Sequence, residues 1–461
     1  MKSITVKNLR FADSDLRLDA SYHLNDCVLI RHKYLNAPVS ITTIKEQAKD
    51  LFLGNIFRRI YVSNPVKGVP YLTGSDMIKS EIDSGKFLAK KQAQKLNRLM
   101  LKKGWILVSC SGTLGNVVFT NEMFENRIAT HDLIRIIPNN KDVKPGFLYA
   151  YLASKFGYSL LTQSSYGGVV KHIEPEHIAH IPVPIFSPTK QEEIHDLISQ
   201  SASLRVEANK ELGDTKELFY SQFQIKKLLK EKENAKIVNI SDVTNGFQCR
   251  IDSISYINNG IRIISELANL GYKFNMLGSL NIKTTRPGIF KRIYVKEGYP
   301  YIKGSELGIN NPFNNCVYLS KTKTPFLNEL KLKENQILFT CAGSVGMVRL
   351  ITKEFEEKDA IGSQDIIRIE SNDIKYTSEY IFAYLKLPFV YDYIQSLKYG
   401  SVIERVEPFH VERIPIVEPT EDLLKKVSKK IMSYKNLLYR AFKMEERAIQ
   451  LIENEIDQWQ Q

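Results

Sequence analysis

The stretch that decides the fold is YGGVVKHIEP at residues 166–175, because the same pattern returns as YGSVIERVEP at residues 399–408. Both stretches are followed by an Ile-Pro pair, at 181–182 and at 414–415. A match of this length, with the same pair behind it, indicates that a long segment of the chain occurs twice.

The repeat extends toward the N-terminal side of each stretch, and the order of the matching segments is kept. The offset stays between 230 and 233 residues, so we interpret the chain as one gene duplication that gives two copies of a domain plus a tail. The further matching segments are RLDA 17–20 with RIDS 250–253, RRIYV 58–62 with KRIYV 291–295, PYLTGSD 70–76 with PYIKGSE 300–306, ILVSCSGTLG 106–115 with ILFTCAGSVG 337–346, and HDLIRI 131–136 with QDIIRI 364–369.

Each copy has the same predicted order of elements. Short β-rich runs bounded by Gly, Pro, Asn and Ser come first, and one helical segment follows near residues 147–156 or 380–391. A Pro-Thr start signal then opens a long helix with apolar residues at steps of three and four. In the second tail these are Leu424, Val427, Ile431, Tyr434, Leu438, Ala441, Ala448 and Ile452, with a break near Glu445, and in the first tail Ile194, Leu197, Leu204, Ala208, Leu218, Ile225 and Leu229.

We therefore predict an α+β fold in which two duplicated β-rich domains are joined by two long helices that form an antiparallel coiled coil. The alternative for the apolar stripes is ordinary packing of each helix against the adjacent domain. The predicted boundaries are 1–187 for the first domain, 188–232 for the first helix, 233–418 for the second domain and 419–461 for the second helix.

Nearly all of the excess positive charge lies in the two predicted domains and not in the helical tails. The net charge is +13 over 461 residues. The first helical tail has eight Lys/Arg against eight Asp/Glu and the second has eight against seven, so +12 of the excess lies in the two domains. A basic surface favours a polyanionic partner.

Membrane and secreted classes are not favoured. The apolar runs are far shorter than the roughly 20 residues of a membrane span, and the first residues lack the apolar core of a secretory signal. The five cysteines include no Cys-x-x-Cys pair. These features predict a cytoplasmic protein.

The two-domain, two-helix arrangement resembles the specificity subunits of type I restriction-modification systems. The motifs that carry the resemblance are RLDASYH at 17–23, GSDM at 74–77, SGTLG at 111–115 and the duplicated YGG/IEP block. The resemblance implies that the two β-rich domains are target-recognition domains, each of which reads one half of a split double-stranded DNA site, while the helices set the unread spacer. It also implies two methyltransferase partner subunits that use S-adenosylmethionine to methylate adenine at N6, and an optional motor-nuclease subunit, in defence against foreign DNA.

The candidate DNA contacts lie in the glycine-rich blocks and the basic strands, because backbone without a Cβ approaches phosphates closely. Alternatives remain: the glycines only form turns, shared motifs hold the fold, and the basic strands are solvated faces. The candidates are Thr73, Ser75, Ser111, Thr113, Tyr166, Lys171 and His172 in the first copy, Lys303, Ser305, Ser344, Tyr399, Ser401 and Arg405 in the second, and Arg58, Arg59, Lys291 and Arg292 on the basic strands.

No catalytic or metal site is predicted. The histidines at 172, 177 and 180 become Arg405, His410 and Arg413 in the second copy, which keeps positive charge but not ligand capacity. The sequence has no Asn/Asp-Pro-Pro-Tyr/Phe methyltransferase motif, no phosphate-binding Gly-x-x-x-x-Gly-Lys-Ser/Thr loop and no Pro-Asp nuclease motif. Two other hypotheses stay open: a stand-alone DNA-binding regulator or antiphage sensor, and an unrecognised enzyme.

Overall fold

The computed structural model describes residues 27–163, 172–229, 235–244 and 248–459. The chain divides into two compact units, one formed by residues up to 206 together with those from 440 onward, and the other by residues 207–439. The division falls inside both long helices. The RLDA motif of residues 17–20 lies outside the described residues.

Within the described residues, each unit contains two four-stranded sheets and one two-stranded sheet, and the strand orders of the two units correspond. In the first unit the orders are β2-β9-β6-β7, β3-β5-β4-β8 and β1-β10. The strands are β1 Ile41–Thr43, β2 Ala48–Phe52, β3 Tyr61–Val62, β4 Gly68–Leu72, β5 Phe87–Ala89, β6 Ile106–Ser109, β7 Val117–Phe119, β8 Ile128–Ala129, β9 Leu133–Pro138 and β10 Pro182–Pro184.

The second unit repeats this topology as β12-β19-β16-β17, β13-β15-β14-β18 and β11-β20. In both units the last strand of the smaller four-stranded sheet, β8 or β18, pairs in parallel and the others are antiparallel. The strands are β11 Phe274–Met276, β12 Ile282–Thr285, β13 Tyr294–Val295, β14 Tyr299–Ile302, β15 Val317–Leu319, β16 Ile337–Thr340, β17 Val348–Leu350, β18 Ile361–Gly362, β19 Ile366–Ser371 and β20 Pro415–Val417. The predicted duplication is therefore confirmed as two copies of one fold.

The helices complete each unit. They are α1 Cys27–Leu35, α2 Ile44–Gln47, α3 Lys90–Ala93, α4 Pro145–Ala153, α5 Lys155–Gln163, α6 Pro175–Ala179, α7 Pro188–Gln222, α8 Ile225–Leu228, α9 Ile240–Thr244, α10 Asn259–Asn269, α11 Leu327–Leu330, α12 Lys353–Glu357, α13 Ser378–Leu385, α14 Pro388–Ser396, α15 Pro408–Val411 and α16 Glu421–Asp457. Among the described residues, no helix is both long enough and apolar enough to cross a bilayer.

The cores form where strand-length apolar runs are covered on both faces. All four side chains of β6 (ILVS) and of β16 (ILFT) are buried, as expected for continuous apolar strands. Helices α4 and α13 lie in these cores with nearly every side chain buried. Tyr151 on α4 donates its hydroxyl hydrogen bond to the carbonyl of Pro182, and Tyr384 on α13 donates to that of Pro415, so the copies agree even in single contacts.

The two long helices pack against each other in antiparallel orientation, as the sequence predicted. In the first unit Lys190 pairs with Glu455, and Ser201 donates a 2.7 Å hydrogen bond to the carbonyl of Ala441. In the second unit Lys430 forms ion pairs of 2.9 Å with Glu211 and with Asp214. Residue numbers rise along α7 as they fall along α16.

The stripes also pack against the domains, which was the alternative interpretation. In the first unit Ala448 and Ile452 of α16 lie in the same buried cluster as Phe147. Trp459, just after the helix, makes edge contacts with Tyr34 and Phe186 at ring distances of 5.5 and 6.3 Å. In the second unit Tyr434 stacks on Phe382 at 5.9 Å. Both packing modes therefore stabilise the helices.

Two details of the helices differ from the sequence-based expectation. Helix α7 ends at Gln222 because Gln224 adopts a left-handed conformation (φ 50°), and the short helix α8 follows. The buried positions are partly shifted: Leu423 and Leu437 are buried where Leu424 and Leu438 were expected. Contacts with the domain select the buried side of the helix, and periodicity alone does not report them.

A buried arginine organises the loop next to β9 and β19 in each unit. Arg135 is fully buried and donates to the carbonyls of Ala129, Thr130 and Leu133 at 2.8 to 3.0 Å. Arg368 donates in the same way to carbonyls of its own loop. A guanidinium carries five N–H donors and is suited to several acceptors at once.

Replacing Arg135 with Met is expected to lower the free energy of unfolding by about 2–4 kcal/mol, because three buried carbonyls lose their donor. Urea unfolding of the full-length chain measures the change. The matched control is Arg98→Met, whose side chain is 68% exposed and pairs with Asp50 at the surface. Equal losses in the two variants would contradict the structural role of Arg135.

Candidate nucleic-acid interface

A basic pocket of about 350 Å³ lies in the second unit, between the segment that runs from β13 to the end of β14 and the loops that follow β16 and β18. It brings together four of the candidates predicted from the sequence: Arg292, Lys303, Ser305 and Arg405. The remaining lining residues are Tyr294, Tyr301, Gly304, Ala342, Gly343, Ser363, Asp365 and Ile403.

The cationic side chains of this pocket differ in how many partners they have within the protein. Arg292 lies 3.8 Å from Asp365 and 5.8 Å from the centre of the Tyr301 ring. Lys303 pairs with Glu306 at 3.3 Å. The guanidinium of Arg405 has no hydrogen-bond or ion-pair partner among the described residues. The pocket therefore presents a half-exposed cation with unused donors beside one carboxylate acceptor.

An ion pair between Arg286 and Glu407 lies next to the pocket and contacts its residue Asp365. Arg286 donates to both carboxylate oxygens of Glu407 at 2.6 Å and lies 3.6 Å from Asp365. The Tyr399 hydroxyl donates to Glu407 at 2.9 Å. Burial raises the pKa of the Glu407 carboxyl, but the hydrogen bonds from Arg286 and Tyr399 outweigh it and hold that pKa below the usual 4.5. Glu407 is thus charged at neutral pH and anchors two residues of the site.

The corresponding region of the first unit is built around Arg59. This guanidinium donates a 2.7 Å hydrogen bond to the Tyr71 hydroxyl, which raises the pKa of Arg59, and it also lies 3.4 Å from Thr130 and His131. The hydroxyls of Thr73 and Ser75 are 3.2 Å apart. The position equivalent to Arg286 is Leu53, so the two sites differ in charge arrangement.

The glycine-rich loops after β6 and β16 have the same turn geometry. Ser109 donates to the carbonyl of Thr113 at 2.6 Å, and Thr340 donates to that of Ser344. Gly115 has a positive φ of 77°, and a Cβ there would lie 2.8 Å from a methyl group of Thr162. The loop geometry accounts for the glycines, and Ser111 forms a backbone bridge to His172.

The structure does not bring every predicted residue together. Arg58, Lys291, Thr113, Ser344 and Ser401 are exposed, and none of them lines the pocket described above. Tyr166 and Lys171 lie outside the described residues. The role of each candidate in DNA contact remains a prediction.

Sequence reasoning missed Tyr301, Asp365 and Arg286. The signal for the first two was present, because Tyr71 and Tyr301 match within PYLTG/PYIKG, and Asp132 and Asp365 match within HDLIRI/QDIIRI. Arg286 has no counterpart in the first copy, so comparison of the copies could not have found it.

One of the histidines that suggested a metal, His177, and its counterpart in the second copy, His410, have structural partners. The main-chain N–H of Glu174 donates to Nδ1 of His177 at 2.8 Å, and that of Glu407 donates to Nδ1 of His410 at 3.0 Å. Each histidine thereby caps a short helix, α6 or α15. Burial lowers the pKa of His410, which agrees with an unprotonated Nδ1 acceptor. No group of three metal-binding side chains occurs in the part of the chain that the structure describes.

Replacing Arg286 with Met is expected to destabilise the second unit at neutral pH by about 1–3 kcal/mol, because Glu407 loses its charged donor. The pKa of Glu407 is depressed on folding, so its stabilising contribution is present above pH 4.5 and is lost as the pH falls through the folded value. The difference between wild type and variant should therefore shrink in acid.

Unfolding midpoints of the wild type and the variant, measured between about pH 3 and about pH 7, report this pH dependence, because that range includes the usual carboxyl pKa. Lys375→Met is the matched control, since Lys375 pairs with Glu418 at the surface of the same unit and its loss should change little. A deficit of Arg286→Met that does not depend on pH would contradict the ion-pair explanation.

The chain was compared with protein-family models, curated sequences and solved structures. The family model described as "Type I restriction modification DNA specificity domain" matches residues 53–214 and again residues 272–453. No curated protein sequence matches the chain at a significant level.

Three solved structures are similar over most of their length. The S subunit of a type I restriction-modification system from M. genitalium has 13% identity over 92% of this chain and 96% of that chain, with a TM-score of 0.35. The HsdS subunit from Thermoanaerobacter tengcongensis has 11% identity, coverage of 92% and 98%, and a TM-score of 0.29. A chain from work on complex assembly and conformational transition of the type I R-M system has 11% identity, coverage of 91% and 96%, and a TM-score of 0.27. From the family match, the chain belongs to the type I restriction-modification DNA specificity family and carries two copies of its domain.

Proposed function

We propose that this chain directs a type I-like adenine-N6 DNA methyltransferase to a bipartite double-stranded DNA site, with each domain reading one half-site. The pocket around Arg405 is the single observation that carries the proposal. Its guanidinium has donors that the described protein leaves unused, and guanidinium groups bind phosphates and the guanine edge. The nearby Asp365 carboxylate is an acceptor suited to a cytosine amino group.

In this proposal the chain supplies recognition and its partners supply catalysis. Two methyltransferase subunits bind S-adenosylmethionine and transfer the methyl group, and a motor-nuclease subunit joins where the system restricts DNA. The paired helices α7 and α16 set the unread spacer and dock the methyltransferase subunits. The family match and the absence of catalytic motifs in the sequence support this division of labour.

The decisive experiment maps N6-methyladenine across the genome of host cells with and without this gene. A methylated bipartite sequence that disappears with the gene supports the proposal. Co-purification is the second readout. A chain that binds DNA but brings down no methyltransferase would instead be a stand-alone regulator.

Binding of duplex DNA is expected to weaken steeply as salt increases, because cationic side chains displace counterions from phosphates. Arg405→Gln should lower the affinity, and the slope of log K against log salt should fall by about 0.9 if Arg405 contacts one phosphate. Fluorescence anisotropy with the full-length chain measures both quantities. The control is Lys353→Gln, which removes an exposed lysine on α12 that pairs with Glu357. An affinity that is independent of salt would exclude phosphate contacts.

Exchanging residues 233–418 for the second domain of another family member is expected to change only one half of the methylated sequence. The reason is that each domain has its own cores and its own candidate site. Methylation mapping of cells that carry the hybrid gene gives the result. A simultaneous change in both halves would refute the assignment of one domain to one half-site.

A further inference from the structure

A short hairpin, residues 399–405, stands beside the pocket of the second unit, and we call it the 399–405 hairpin. Its ends are closed by two main-chain hydrogen bonds between Tyr399 and Arg405, of 3.0 and 2.8 Å. Gly400 has a φ of +96°, and a Cβ there would lie 2.6 Å from the carbonyl oxygen of Ile403. The turn therefore requires glycine and has a defined shape.

Contacts at the base hold the hairpin to the domain. The Tyr399 ring stacks on His410 at 5.1 Å. On the other side, the main-chain N–H of Gly343 donates to the carbonyl of Glu404 at 3.3 Å, and that of Val406 to Cys341 at 3.0 Å.

Arg250 contacts the segment that leads into the hairpin and stabilises it by hydrogen bonds. Its guanidinium donates to the carbonyls of Ser396 and Lys398, and it is held in place by Asp252 at 2.6 and 2.7 Å. Arg250 and Asp252 belong to the RIDS segment that the sequence repeats at 17–20. This motif thus has a positioning role for the hairpin.

The tip of the hairpin is apolar and exposed. Val402 is 93% exposed and Ile403 is 54% exposed. Ile403 also lines the pocket with Arg292, Lys303 and Arg405. Exposing two β-branched side chains to water is unfavourable in free energy. On a turn of defined shape and beside several cations, these side chains form a surface suited to a polyanion that also offers apolar groups.

We propose that the 399–405 hairpin enters the major groove of the second half-site, where Val402 and Ile403 contact the methyl group of a thymine. This inference rests on the proposed DNA-reading function. The major groove, about 12 Å wide, admits a two-stranded β-ribbon, and the thymine methyl is the apolar group that it displays. The matching residues of the first copy are Val169 and Val170, which lie outside the described residues.

The test combines a protein change with a DNA change. The full-length chain, with the methyltransferase subunits that co-purify with it, is bound to its mapped site and to duplexes in which each thymine of the second half-site is replaced by deoxyuridine. Losing the methyl contact is expected to weaken binding about fourfold at one position. In the double variant Val402→Ser, Ile403→Ser, affinity should fall about tenfold or more, and deoxyuridine should have no further effect.

Ile374→Ser is the matched control, because Ile374 is 92% exposed in the same unit and does not line the pocket. It should bind like the wild type, and thermal unfolding should show all variants folded. Three outcomes would each overturn the hairpin inference alone. The double variant could bind DNA as tightly as the wild type, no thymine of the second half-site could depend on its methyl group, or the double variant could lose the methyltransferase while its DNA binding stays intact. Failure of the wild type to bind any DNA site would overturn the proposed function itself.

Discussion

The site in each domain depends on one buried guanidinium. Arg368 holds the carbonyls of Gly362, Ser363 and Ile366 at 2.6 to 2.9 Å, and the loop so fixed carries Ser363 and Asp365 into the pocket. Arg135 does the same for its loop in the first unit. Burial lowers the pKa of both arginines to about 10, so they remain charged at neutral pH. The carbonyl dipoles stabilise this charge, and without it the loops would have buried acceptors and no donor.

A second buried polar cluster fixes how the two long helices align in the first unit. Within the first unit, Glu445 is buried on α16, pairs with Arg205 of α7 and accepts a hydrogen bond from Tyr149 of α4. The equivalent of Tyr149 in the second unit is Phe382, which stacks on Tyr434 instead. A buried pair of charges adds little net stability, but a shift of one helical turn would leave a charge without its partner and cost about 3–5 kcal/mol. The cluster therefore selects one alignment of the two helices in that unit.

The proposed recognition of DNA by the second domain uses two different surfaces. The pocket offers hydrogen-bond donors and one carboxylate acceptor, and the 399–405 hairpin offers an apolar tip. Both are held by the same anchor, because Glu407 binds Arg286 behind the pocket and the Tyr399 hydroxyl at the hairpin base. A rigid base with exposed polar and apolar groups is how a loop reads a ligand without the entropy cost of ordering itself on binding.

The sequence by itself determined the duplication, the α+β class and the antiparallel helix pair, because a repeated order of motifs and an apolar period of three and four are properties of the chain alone. It also marked the break at Glu445. It could not show that this break is filled by Arg205 and Tyr149, that α7 ends at Gln222, or that Arg286 and Asp365 meet at the pocket. Those contacts join residues that are far apart in the chain, and the free energy that selects them comes from burial and hydrogen bonding in the folded domain. Only the tertiary structure decided which residues of the repeated motifs come together at the pocket and which are buried in the cores.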